Sequence, residues 1–270
     1  MLKLLLLALA AYAGVAGIVY FAQEGLMFLP QKSIAPPAAP PGWTLEAVEL
    51  RAKDGTRLSG VLVKPGGSRS PLVIYYGGNA EEITSSAVEA PRFWGRRAVL
   101  LVNYRGYGES EGRPGEAELV SDAIEIFDWA AKRADVDPER IALHGASLGS
   151  GVAVQVAAAR AARCVVLSTP FDSARAVAAG IYPWLPVGLL MRHPFDSAAR
   201  AGAIRVPALV LVAAEDTIIA PKHADRLADA WGGPVERVAF VGRGHNDLFA
   251  DPAYGAAIAR FLDRHLGTPD

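Results

Sequence analysis

Ser147 stands alone between two glycines, in Gly145-Ala146-Ser147-Leu148-Gly149, after an apolar run that ends at Leu143 and before an alanine-rich one. Glycine inside a regular element costs about 1 kcal/mol relative to alanine, so paired glycines around one serine mark a backbone constraint. A sharp strand-to-helix turn meets that constraint. Small neighbours let strand and helix approach closely, and the hydroxyl is held clear of the chain at a helix N-terminus. There the Leu148 N–H faces developing negative charge. A serine hydroxyl is a poor nucleophile near neutral pH and needs a base, which an imidazole supplies, with a carboxylate to fix the imidazole tautomer. His245, on the polar stretch "GRGHND", is placed for that base. Asp172 and Asp216 each follow an apolar run, Glu215 and Asp247 lie close by, and the residues leave the choice of acid open.

Those residues need elements to carry them. "LEAVELRA" and "TRLSGVLVKP" flank Lys53-Asp54-Gly55-Thr56, a hairpin signal. Short, continuously apolar runs then alternate with amphipathic stretches: "PLVIYY", "AVLLVN", "RIALHG", "CVVLS", "PALVLVA" and "VERVAFV" read as strands, and Leu119, Ala123, Ile126, Phe127 and Ala130 fall at helical spacing between two of them. The pattern predicts an α/β fold: a mostly parallel eight-stranded sheet, its first pair antiparallel, with helices on both faces. In such sheets ligands sit beyond the carboxyl ends of the strands. Ser147, the two aspartates and His245 all fall there, in the order Ser…Asp…His.

The 270 residues carry a net charge of −1 and no basic run, which excludes the electrostatic footprint of a nucleic-acid binder. Cys164 is the only cysteine, inside an apolar run, so an intramolecular disulfide is impossible. The five histidines show no metal-ligand spacing, and neither metal nor cofactor is expected. His144, on the strand before Ser147, reads as a core histidine. Arg105, Tyr107 and Glu109 read as loop-fixing residues.

With "GGNA" at 77–80, "NYRGYGESEG" at 103–112, "GASLG" at 145–149, "AAEDTIIAP" at 213–221 and "GRGHND" at 242–247, the chain resembles the α/β-hydrolase superfamily. Over about residues 20–265 it is similar to that superfamily's membrane-anchored branch, which includes the Bem46-like proteins. The resemblance implies Ser147 as nucleophile, His245 as general base and then acid, and Asp216 as the acid that orients His245. It also implies an oxyanion hole from the amides of Asn79 and Leu148. One departure stands out: relatives commonly read His-Gly-Asn-Ala where this chain has Gly77-Gly78-Asn79-Ala80. The amide role survives that change, and a histidine side-chain role does not.

Residues 4–22 are uncharged and about long enough to cross a bilayer. They are read as a transmembrane anchor over residues 1–22, with a signal peptide cleaved after Ala11-Tyr12-Ala13 as the competitor. Lys3 and the α-amine lie before the span and Lys32 after it, a balance that leans toward a cytoplasmic N-terminus and an exported catalytic domain. Residues 23–42, proline-rich toward their end, read as a spacer with few contacts to the hydrolase domain at 43–270. An insert at about 171–205 is long enough for a short helical cap. Its apolar middle, Ile181 to Met191, would line an acyl pocket. The expected activity is hydrolysis of lipophilic carboxylic esters or thioesters near a membrane. Peptidase or acyltransferase chemistry on the same residues, and a non-catalytic binding protein of this fold, are the competing readings.

Overall fold

The computed structural model describes residues 1–33, 37–66 and 69–268. Part of the expected spacer, residues 34–36, lies outside them. The chain opens with helix α1 (Leu2–Met27), followed by the hairpin strands β1 (Trp43–Arg51) and β2 (Arg57–Pro65), then β3 (Ser70–Tyr76). A 3₁₀ segment at Ile83–Glu89 leads into α2 (Ala90–Trp94), β4 (Ala98–Val102), α3 (Glu116–Ala131), β5 (Val136–Ala146), α4 (Leu148–Ala159) and β6 (Cys164–Ser168). Three short helices fill the insert: α5 (Ala174–Ile181), α6 (Val187–Leu190) and α7 (Ala198–Ala201). β7 (Ala208–Ala213), α8 (Pro221–Ala230), β8 (Val235–Phe240) and α9 (Pro252–Leu266) complete the fold.

The eight strands form one sheet in the order β1-β2-β4-β3-β5-β6-β7-β8. β1 pairs with β2, and β2 with β4, antiparallel; every later pairing is parallel. The expected α/β fold, including its antiparallel first pair, is therefore what the chain adopts. Alternate side chains of each strand point to opposite faces, so a strand apolar throughout must be covered twice. In β4, Ala98, Leu100 and Val102 join the core under α3, α4 and α8, while Val99 and Leu101 join the core under α2 and α9. Chain order reverses around β3, whose neighbours are β4 on one side and β5 on the other. That reversal opens a crevice at the carboxyl ends of β3 and β5.

The N-terminal segment departs from the expected boundaries. α1 continues through Met27 rather than ending at 22, and the residues after it are docked. Phe28 is 2% exposed within the core and packs edge-on against His193. Gly108 N–H donates to the Gln31 carbonyl at 2.7 Å. The start of the presumed spacer is thus a packed part of the domain, because Phe28 gains more from burial than a free linker loses in chain entropy. Phe28→Ala should destabilise the protein by about 3–5 kcal/mol, read as a lower denaturation midpoint in detergent.

Candidate active site

Ser147 links β5 to α4 with φ 50° and ψ −116°, a region that non-glycine residues enter only when the surroundings impose it. The two glycines show what imposes it. A Cβ at Gly145 would run into the Gly149 and Ser150 backbone, and one at Gly149 would run into the Tyr76 and Gly77 carbonyls at the end of β3. Strand and helix therefore meet backbone to backbone, and the serine is pushed out at the apex.

The Ser147 Oγ lies 3.0 Å from His245 Nε2, and His245 Nδ1 lies 2.7 Å from Asp216 Oδ2. The other Asp216 oxygen, Oδ1, accepts from the Ile218 and Ile219 amides at 2.9 and 2.8 Å, which fixes the carboxylate plane. The Asp216 side chain is 2% exposed and that of His245 is 11% exposed. Three loops after three different strands thus converge on one hydrogen-bonded line. With Nδ1–H donated to a buried carboxylate, Nε2 is the lone-pair nitrogen and faces the hydroxyl. This arrangement can take a proton from Ser147.

None of the alternative acids meets His245. Asp172 Oδ1 is 2.7 Å from His223 Nδ1 and accepts from Ser173 N–H, so it ties the start of the insert to α8. Asp247 accepts from Gly244 N–H at 2.6 Å and shapes the histidine loop, while Glu215 bonds through its backbone amide to the Arg243 carbonyl.

The Gly77–Ala80 turn lies against the serine: a Cβ on Gly78 would stand 3.6 Å from the Ser147 Cβ. Glu81 holds this turn by accepting the Gly78 N–H at 2.7 Å and the Tyr75 hydroxyl at 3.0 Å. Burial pushes the Glu81 carboxyl above its ordinary value, against those bonds, which favour the ionised form. At Gly77, where relatives carry histidine, the Ile83 side chain fills the space a Cβ would need. Among the described residues, neither the Asn79 nor the Leu148 N–H donates to a protein acceptor.

The side chain of Asn79 does something the sequence did not signal. Its Nδ2 donates to the Met27 carbonyl at 2.7 Å, and its Oδ1 accepts the Leu29 N–H at 2.9 Å. Tyr107 completes the clamp, its hydroxyl donating to Asn79 Oδ1 at 2.8 Å. Arg105 forms a bidentate pair with buried Asp122 at 2.6 and 2.7 Å and also bonds Asp54, which anchors the same loop to the first hairpin. Both residues fix loops, as expected; Glu109 is exposed.

His144 is a core residue. Its Nδ1 accepts from Trp94 Nε1–H at 2.9 Å and its Nε2 lies 2.9 Å from Ser168 Oγ, so both ring nitrogens are used by the neutral imidazole. Burial pushes its pKa down to about 3. The unfolded chain binds this proton near pH 6.5 and the folded one does not, so stability is full above about 6.5 and falls as pH drops toward 3. The loss should reach up to about 1.4 kcal/mol per pH unit, and His144→Gln should flatten it in denaturant titrations at pH 7, 6 and 5.

With this geometry in hand, comparison with known proteins places the chain. A family profile for the alpha/beta hydrolase fold matches residues 71–200. An uncharacterized protein of Mycobacterium tuberculosis is 36% identical over 254 residues, covering 93% of this chain and 90% of that relative. The chain belongs to the α/β-hydrolase superfamily. Another relative of this α/β-hydrolase is the alpha/beta hydrolase domain-containing protein WAV2 of Arabidopsis thaliana, 28% identical with 80% of this chain and 77% of that protein covered. Among solved structures, an acetyl xylan esterase from Paenibacillus superposes with a TM-score of 0.72 at 20% identity, covering 92% of each chain. A Pyrococcus furiosus esterase superposes with a TM-score of 0.68 at 19% identity, covering 89% of this chain and 98% of its own. At these identities the two superpositions establish the fold of this α/β-hydrolase.

Proposed function

We propose that the chain is a serine hydrolase of carboxylic esters or thioesters, held at a membrane by α1 and working through an acyl-enzyme. The observation that carries this reading is the line from Ser147 Oγ through His245 to Asp216, with the serine at a strained strand-to-helix apex. Ser147 Oγ attacks the carbonyl carbon while His245 Nε2 takes its proton. Asp216 accepts the Nδ1–H bond and stabilises the imidazolium. The oxyanion lies against the Asn79 and Leu148 amides, the second of them at the N-terminus of α4, where the helix dipole adds to the pull. Collapse expels an alcohol or thiol protonated by His245. Water, deprotonated by the same imidazole, then releases the acid and restores the serine.

Apolar substrates fit the surroundings better than sugars or charged acids. Ile218 and Val241, just beyond the ends of β7 and β8, are exposed, as are Ile181, Tyr182, Trp184 and Leu189 in the cap. The cavity of about 710 Å³ that Glu116, Arg113, His193 and Arg200 help to line has mostly charged and polar residues around it and is not lined by Ser147, Asp216 or His245. α1 favours an anchor over a signal cleaved after Ala13, because cleavage there would remove Tyr12, which bonds the Trp184 carbonyl, and leave the apolar residues 14–22 at the new N-terminus. Lys3 and the α-amine before the span, against Lys32 after it, favour an exported catalytic domain.

The test is a chain-length series of p-nitrophenyl esters and acyl thioesters, with Ser147→Ala as control. The reading requires turnover that rises with acyl length and vanishes in the variant. Turnover of peptide amides in preference to both series would replace it with a peptidase.

A further inference from the structure

The cap lies along the apolar helix. Tyr12 Oη donates to the Trp184 carbonyl at 2.9 Å, and Gln23 Nε2 donates to the Leu190 carbonyl at 3.0 Å. Arg192 N–H donates to Gln23 Oε1 at 2.7 Å, and the Arg192 guanidinium pairs with Glu24 at 2.8 Å. Tyr12 and Gln23 are about 16 Å apart along a helix that rises 1.5 Å per residue. From Leu190 back to Trp184, then, the cap descends beside α1 by roughly half the thickness of a hydrocarbon core.

Its composition follows that descent. Residues 176–191 contain no charge, and Arg175 and Arg192 bracket them. Leu189 is 87% exposed and Trp184 55%, with Tyr182 and Ile181 beside them. The polar groups of Glu24, Arg192 and His193 gather at one level, at the C-terminal end of α1. α1 has no buried residue of its own, so whatever hydrocarbon covers its flank at Tyr12 also meets the cap bonded there.

We propose that the cap segment from Ile181 to Leu190 is immersed in the lipid leaflet that α1 crosses, with Glu24 and Arg192 marking the headgroup level. This rests on the reading of α1 as a membrane anchor. The occupant of the exposed apolar face is therefore acyl chain, and the cap forms a wall that lipid-borne acyl groups meet before they reach Ser147.

The full-length protein permits a direct test. Cys164 is fully buried and burial pushes its thiol up to about 12, so an introduced cysteine is the one that labels. An environment-sensitive fluorophore is attached at Leu189→Cys in the cap, at Leu9→Cys in α1, or at Lys132→Cys beyond the far end of α3. Each protein is reconstituted in phosphatidylcholine vesicles with brominated acyl chains. The expected result is blue-shifted emission, quenched by bromine, at positions 9 and 189, and neither at 132. Quenching at 9 with position 189 behaving like 132 puts the cap in water and overturns the proposal while the anchor stands. Absence of quenching at 9 as well removes the anchor reading and the proposal together. Leu189 is at the surface, so the substitution leaves the fold intact.

Discussion

Ser147→Ala should lower kcat on ester substrates by a factor on the order of 10⁶ and should remove all labelling by a fluorophosphonate probe. The reason is geometric. Of the described serines, Ser147 alone combines a histidine nitrogen at 3.0 Å with a strained apex and unpaired amides beside it. Ser150 Oγ is committed to the Ser147 carbonyl and Ser168 Oγ to His144 and Tyr254. Folding should survive the substitution, because the Ser147 N–H still donates to the Ser168 carbonyl and the apex loses only a hydroxyl. Gel fluorescence after probe treatment, with the denaturation midpoint as a check, reads both. Full labelling of the variant would move the nucleophile elsewhere.

Asp216→Asn should lower kcat by about 10³–10⁴-fold with little change in KM. The amide keeps the shape but offers N–H where Oδ2 accepts from His245. That favours the tautomer with the proton on Nε2, which cannot take one from serine. Asp172→Asn should leave kcat nearly unchanged and lower stability instead, because Asp172 meets His223 and Arg226 rather than His245. Steady-state kinetics of both variants decide the matter, and the opposite ranking would assign the acid to 172.

The sheet was legible in the sequence because parallel strands must be apolar on both faces, and β3, β4, β6, β7 and the second half of β5 read as short, largely apolar runs between helical stretches. The three residues of the hydrogen-bonded line were legible for a related reason: they follow strands, where such sheets put their chemistry. Choosing Asp216 over Asp172 needed resemblance, since both follow strands and only three-dimensional partners separate them. The docking of Met27, Phe28 and Leu29 left no periodic signal. It depends on single pairings across more than fifty positions, such as Asn79 to Met27, which no local pattern encodes. The polar pair Gln23-Glu24 at the end of an apolar run was the one hint that this helix ends against the protein.

The Asn79 clamp also sets a distance. A flexible linker of about 20 residues spans roughly 25 Å root-mean-square, so a domain on such a leash samples a broad shell above its membrane. Here Asn79, in the turn that lies against the serine, also grips the carbonyl of Met27 and the amide of Leu29, at the point where α1 ends. With α1 in a bilayer, Ser147 stands at one fixed height, and reach becomes a selector. For the proposed hydrolase, an acyl bond buried deeper than that height, or carried well above it on a bulky partner, should go uncut however well its chain would fit.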